Sequence, residues 1–148
     1  MKIYIGADHN GFEMKQRLFA ALKSAGFDVT DKGDTELHPH DDFPQFAEKV
    51  VLAMQTSSEA DPRGILICGS GQGMSMAANR FKGIRASLVW DLEEARTSRN
   101  DDNSNVLCLP ARSLNVDEAI KIAEAWLSAP FAGAARYKRR LHELDQLG

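Results

Sequence analysis

Cys68-Gly69-Ser70-Gly71-Gln72-Gly73 joins a thiol to three alternating glycines. Glycines at that spacing let the main chain curl so that several N–H groups point inward, and beside a helix start such a curl holds an anion. The ligand class is a phosphate, a carboxylate or the oxygen of an enediolate. The same field draws Cys68 toward a reactive thiolate. A cysteine at the end of an apolar strand is by itself an inert part of a tight turn; three glycines at a ligand-binding edge move the reading to function. Other loop chemistries are excluded. A P-loop has the pattern GxxxxGK followed by Ser or Thr, and no Lys follows in place. A dinucleotide fingerprint is GxGxxG after the first strand, whereas this GxGxG follows the third. A cysteine phosphatase loop, CxxxxxR, needs Arg at position 74, which is Met74.

Asp8-His9 is the second candidate. A carboxylate and an imidazole at the end of a first strand can bind sugar hydroxyls or a phosphate, or move protons. The bland reading is a helix-capping Asp and a solvated His; it weakens if Cys68 lies on the adjacent strand. Arg136-Tyr137-Lys138-Arg139-Arg140 is a basic run in an acidic protein. Arg136 and Arg140 are four apart on one helix face, so both can grip one anion. Such runs are more often solvated faces. Arg112, after the fifth strand, is a third cation. His38-Pro39-His40-Asp41-Asp42 invites a metal reading, but no further ligand cluster accompanies it. Cys108 alternates into an apolar strand and reads as a small core side chain.

These residues need a scaffold that brings them together. Strand patterns run over 2–7, 27–31, 63–68, 84–90 and 105–109. Between and after them, helical spacing predicts helices over 11–25, from Pro44 to about 54, 73–81, 91–100, 117–127 and a last basic helix over 133–146. The first carries Phe12, Leu18, Phe19 and Leu22 on its apolar face, and the second Phe46, Ala47, Val50, Val51 and Met54. Arg63-Gly64-Ile65-Leu66-Ile67-Cys68 is nearly all apolar, as a strand covered on both faces requires. Five strands alternating with helices predict an α/β fold: three layers, Rossmann-like, around a five-stranded parallel sheet. Ligands of such sheets bind beyond the carboxyl ends of the strands. Ala7–Gly11, Asp31–Pro44, Cys68–Gly73, Trp90–Asp91 and Pro110–Arg112 fall there.

Composition narrows the partners. The 148 residues include 43% hydrophobic and 26% charged, ordinary for a globular protein. With 18 basic and 21 acidic residues the net charge is −3, which offers no broad basic face to nucleic acid. The apolar runs are a few residues long, too short for a bilayer. No repeat or low-complexity linker divides 1–148, so one domain is expected. Met1-Lys2-Ile3-Tyr4-Ile5-Gly6 leads straight into a strand without a signal peptide, and two cysteines in that setting are expected to be reduced thiols in the cytoplasm.

With Asp8-His9, the Cys68–Gly73 turn, Ala77-Ala78-Asn79-Arg80, Gly83-Ile84-Arg85-Ala86 and Asn105-Val106-Leu107 in register, nearly the whole chain resembles the type B ribose-5-phosphate isomerases. Allose-6-phosphate and galactose-6-phosphate isomerases belong to the same family. The resemblance implies an intramolecular oxidoreductase that interconverts aldose and ketose phosphates without metal or organic cofactor. It also implies a homodimer or homotetramer whose active sites are shared between subunits. Matched position by position, Cys68 stands for the base and Ser70 for a Ser or Thr of the family. The N–H groups of Gly69, Ser70, Gly71, Gln72 and Gly73 stand for the enediolate loop. Asp8 and His9 match substrate-binding residues. Arg112, Arg136 and Arg140 match arginines that hold the phosphate from the neighbouring subunit, so the basic helix is expected to reach that subunit. Many members carry a His-Asn-Asp run before the Asn-Val-Leu strand, its His opening the sugar ring. Here Asp101 stands in place of the His and Asp102 in place of the Asn, and Phe43 stands where Tyr is common. Asp101 either takes over proton transfer, with one carboxyl of the Asp101-Asp102 pair raised by the other, or caps a turn and leaves ring opening to water or to His9. Ribose 5-phosphate is the expected substrate; allose 6-phosphate, galactose 6-phosphate or a four-carbon sugar phosphate, or sugar-phosphate binding without turnover, are the alternatives.

Overall fold

A computed structural model describes residues 1–148. Five strands, β1 (Lys2–Ala7), β2 (Asp28–Asp31), β3 (Arg63–Cys68), β4 (Ala86–Leu88) and β5 (Val106–Pro110), form one parallel sheet in the order β2-β1-β3-β5-β4. Six helices accompany it: α1 (Phe12–Ser24), α2 (Phe43–Gln55), α3 (Gln72–Ala78), α4 (Leu92–Asn100), α5 (Val116–Ser128) and α6 (Ala135–Asp145). The α/β class, the parallel sheet and its five strands are as the sequence predicts. The last strand, β5, enters between β3 and β4, an order that alternation alone does not specify.

Each central strand sends alternate side chains to two cores. Ile3, Ile5, Ile65, Ile67, Leu107 and Leu109 pack with α1, α4 and α5 through Met14, Leu18, Leu22, Ala95, Ile122 and Trp126. Leu66, Cys68, Val106 and Cys108 face α2 and α3 through Phe46, Val50, Met54, Met74 and Ala78. Cys108 is a core side chain, as read, and burial pushes its thiol pKa up. α6 buries none of its side chains.

Two sequence-based expectations change. The strand expected over 84–90 pairs only at Ala86–Leu88. At Gly83–Arg85 the Asn105 side chain accepts from the Arg85 N–H and donates to the Gly83 carbonyl, while the Arg85 carbonyl accepts from the main-chain N–H groups of Asn105 and Val106. On α1, Phe12 and Phe19 are only partly buried, while Lys15 is fully buried between Met14 and Leu18. Its ammonium is matched donor for acceptor by both oxygens of Asp31, at 2.9 and 3.1 Å, and by the Asp34 carbonyl at 2.7 Å.

Candidate active site

The carboxyl ends of β1, β3 and β5 lie side by side, with Ala7 in register with Ile67 and Cys68 with Pro110. The chain leaves β1 toward β2 and returns on its other side as β3, so the crevice is a topological switch point. Cys68 ends β3, almost fully buried. After it the main chain turns through Gly71 at φ +74°. A side chain there would meet Leu88 Cδ1 at 2.5 Å, so both conformation and space call for glycine. The N–H groups of Gly69, Ser70 and Gly71 donate to no acceptor in the protein. Gln72 N–H donates to Ser70 Oγ at 3.3 Å, leaving the Ser70 hydroxyl hydrogen free. Orphaned donors in a row beside a helix start form a cradle for negative charge. Gly73, in the first turn of α3, lies under the Phe43 ring, which is 2.8 Å from where a Cβ would stand.

Arg112 belongs to this same edge. Its N–H donates to the Gly69 carbonyl at 3.0 Å, and its guanidinium lies over Gly69. The expectation that Arg112 comes from a neighbouring subunit is therefore corrected: β5 lies next to β3, and the turn after β5 folds over the glycine loop of its own chain.

Asp8 and His9 follow β1, next to the end of β3, the Asp8 N–H donating to the Ile67 carbonyl at 3.3 Å. One Asp8 oxygen accepts from the N–H groups of Asn10 at 2.9 Å and Gly11 at 3.2 Å; the other has no protein donor. Asp8 thus shapes the turn before α1 and keeps an acceptor for a ligand. Burial raises its carboxyl pKa, and the two N–H donors offset part of that rise. His9 is held by Asp41, whose Oδ1 lies 2.8 Å from both the His9 main-chain N and ring Nδ1. The His38–Asp42 segment thus has a role at this edge, and it gathers no cluster able to hold a metal.

Asp101, Asp102, Arg136 and Arg140 lie elsewhere in the chain. α4 runs back from the carboxyl edge, so the turn after it sits at the amino edge of the sheet. β5 separates that turn from Cys68, and its five residues span about 16 Å. Asp101 caps the end of α4 and accepts from Asn100 Nδ2 at 2.7 Å. Asp102 is exposed, yet partial desolvation of its carboxyl and the charge of Asp101 raise its pKa, and nearby Arg140 opposes that rise. Arg99 shapes this turn, donating to the Asn103 side chain and to the carbonyls of Ser104 and Ala129. Desolvation pulls its guanidinium pKa down to about 10. The Ala132 N–H donates to the Asn100 carbonyl, so α6 starts beside α4 at the amino edge. Arg136 and Arg140 are exposed on α6, Arg136 stacked 4.4 Å from the Tyr137 ring centre. Two large cavities, of about 650 and 600 Å³, open between α4 and α5 and between α6 and the amino edge. Neither is lined by Cys68 or the glycine loop.

Lys15, Asp41, Phe43 and Arg99 are the supporting residues that motif reading does not assign. Lys15 carries a signal, a cation on an apolar helical stripe. Asp41 shows in the sequence only as part of the His38–Asp42 run, because its partner is 32 residues away.

A doubly wound α/β sheet with a thiol beside an anion cradle at its switch point defines an enzyme for an anionic substrate. The profile of the Ribose/Galactose Isomerase family matches residues 3–144. The probable ribose-5-phosphate isomerase B of Mycoplasma pneumoniae is 44% identical over 137 residues, covering 93% of this chain and 89% of that protein. Ribose-5-phosphate isomerase B of Escherichia coli is 41% identical over 146 residues, covering 99% and 95%. The crystal structure of ribose-5-phosphate isomerase B from Mycoplasma genitalium with bound ribulose-5-phosphate aligns with a TM-score of 0.91 at 39% identity, over 98% of this chain and 94% of that one. This chain belongs to the ribose/galactose isomerase family. No helix in it is long and apolar enough to cross a membrane.

Proposed function

We propose that this protein interconverts ribose 5-phosphate and ribulose 5-phosphate through an enediolate, with Cys68 as the base. The observation that carries this reading is the row of unpartnered N–H groups at Gly69, Ser70 and Gly71 beside the Cys68 thiol, under the Arg112 guanidinium. The Cys68 thiolate removes the proton from C2 of the open aldose and returns it to C1, while the O2 hydroxyl gives up its proton and O1 takes one, so that the carbonyl moves from C1 to C2. Charge that develops on the sugar oxygens is met by donors already in position, which need not reorganise as the reaction proceeds. Ser70 donates its hydroxyl hydrogen to the same oxygens, and the free oxygen of Asp8 accepts from a sugar hydroxyl. Anchoring the remote phosphate makes its binding energy usable at the reacting carbons.

One chain carries two half-sites at opposite edges of its sheet. A twofold pair of chains joins the carboxyl edge of each to the amino edge of the other, completing two sites. Arg136 and Arg140 then reach the phosphate from the partner, and Asp101 and Asp102 approach the sugar ring. That α6 buries none of its side chains fully in its own chain supports this arrangement. A dimer, alone or doubled into a tetramer, is the working assembly, and the cytoplasm its setting.

The test is turnover of ribose 5-phosphate in deuterated water, with label incorporated at C2 of recovered substrate. No turnover of any four- to six-carbon aldose or ketose phosphate, with tight binding retained, would identify a binding protein instead. A second reading rests on Asp101, a carboxylate engaged with Asn100 where many relatives have an imidazole. It makes the substrate an open-chain, four-carbon sugar phosphate, for which ring opening is unnecessary. Preference for four-carbon substrates in the same screen would select it.

A further inference from the structure

We propose that Asp41 is a positioning residue that holds His9 as an outward-facing imidazolium donor for the phosphate of the substrate. The inference rests on the isomerase reading for its ligand, but its geometry stands without it. A single carboxylate oxygen, Asp41 Oδ1, takes both the main-chain N–H and the ring Nδ1 of His9, each at 2.8 Å. The double bond fixes both the strand end and the plane of the ring. It also fixes the proton arrangement, since Nδ1 must donate to the carboxylate and only Nε2 is left for a ligand. No protein group occupies Nε2.

Asp41 is itself held from three sides. Its N–H donates to the His38 carbonyl. The start of its loop is tied by buried Lys15 to Asp31 and the Asp34 carbonyl. Its far end is tied by Phe43, packed on Gly73 at the first turn of α3. Asp41 therefore joins the loop before α2 to the end of β1 at the point where the anion cradle opens. The charged groups that act on His9 are Asp41 and Asp8, both acidic, and their sum raises its pKa. The imidazolium persists to higher pH than an ordinary histidine, whose pKa is about 6.5. A phosphate at the cradle then meets a cation on the β1 side as well as Arg112 on the β5 side.

Replacing Asp41 by Asn keeps an acceptor and the loop but removes the charge. The first readout is the titration of His9 by NMR in the free protein, assigned against a His9→Gln variant. In the wild type His9 should titrate above the ordinary imidazole value of about 6.5, and in D41N its midpoint should fall toward that value. The second readout is binding of inorganic sulfate, which stays dianionic throughout. D41N should bind it severalfold more weakly near pH 7.5, where the raised pKa leaves a larger fraction of the wild-type His9 charged. The two proteins should agree within about twofold near pH 5.5, where both imidazoles are charged. Equal His9 midpoints in the two proteins, or a wild-type His9 midpoint no higher than the ordinary value of about 6.5, would overturn the proposal; the latter measurement does not depend on the variant folding. A loss of sulfate affinity of the same size at both pH values would overturn it too, because it would mark Asp41 as structural only. Neither readout uses turnover, so absence of isomerase activity would reject the isomerase reading while leaving the Asp41–His9 pairing separately testable.

Discussion

Cys68 carries the chemistry at the smallest scale. Cys68→Ala should abolish isomerisation and C2 deuterium exchange while substrate binding stays within a few-fold, since loss of a general base costs roughly 10²–10⁴ in rate. Near-normal turnover would remove Cys68 from the role. The neighbouring glycines differ in what they tolerate. A Cβ on Gly69 would press at 2.9 Å on the Arg112 guanidinium, the movable end of a long side chain. Gly69→Ala should therefore leave thermal stability nearly intact and raise KM. A Cβ on Gly71 would meet Leu88 at 2.5 Å from a left-handed backbone. Gly71→Ala should cost about 1–3 kcal/mol of stability, read by denaturant unfolding, as well as activity. His9 adds a pH term. Its raised pKa means that its pairing with Asp41 stabilises the fold fully below the unfolded imidazole value and fades as pH rises through the folded one. If Asp101 moves the proton that opens the sugar ring, Asp101→Asn should slow a cyclic aldose phosphate and spare an open-chain one. Equal rates on both would take Asp101 out of the mechanism.

At the scale of elements, α1 and the loop before α2 act as a clamp. Lys15 has no exposed surface, and its three ammonium donors are all used. Lys15→Met should destabilise the protein by about 3 kcal/mol, because one partner of a buried ion pair is left without the other. Activity should fall at temperatures where the variant is still folded, since the loop that carries Asp41 and Phe43 loses its anchor. Tight agreement of KM and kcat with the wild type at such temperatures would separate the clamp from the site. The carboxyl-edge turns and the amino-edge turn after α4 show different degrees of legibility. The glycine turn, Asp8 and His9 announce themselves by residue type and by their place after strands. Asp101 and Asp102 are visible as an adjacent pair, but their placement comes from Arg99, which folds the turn through Asn103 and two carbonyls. No local pattern encodes that bond set.

Across the whole molecule, the distance between the two half-sites makes a sharp test. Arg136→Ala should raise KM strongly and lower kcat, each lost charged hydrogen bond being worth about 1.5–3 kcal/mol. Hybrids of an Arg136→Ala subunit with a Cys68→Ala subunit should regain activity, because one site of each hybrid combines an intact Cys68 edge with an intact Arg136 edge. No recovery after confirmed subunit exchange would contradict the shared site. The sequence alone determined the class of fold, since alternating strand and helix periodicities leave a parallel sheet covered on both faces as the way to bury those stripes. It also determined the thiol and anion loop, because glycine spacing is a local property of the main chain. The tertiary structure decided what depends on contacts between distant segments. The insertion of β5 beside β3 brings Arg112 over the glycine loop of its own chain. The pairing of His9 with Asp41 closes across 32 positions. The return of α4 sends Asp101 and Asp102 to the far edge, about a strand length from Cys68. Periodicity reports which face of an element is buried but not which element covers it, and these three placements depend on the latter.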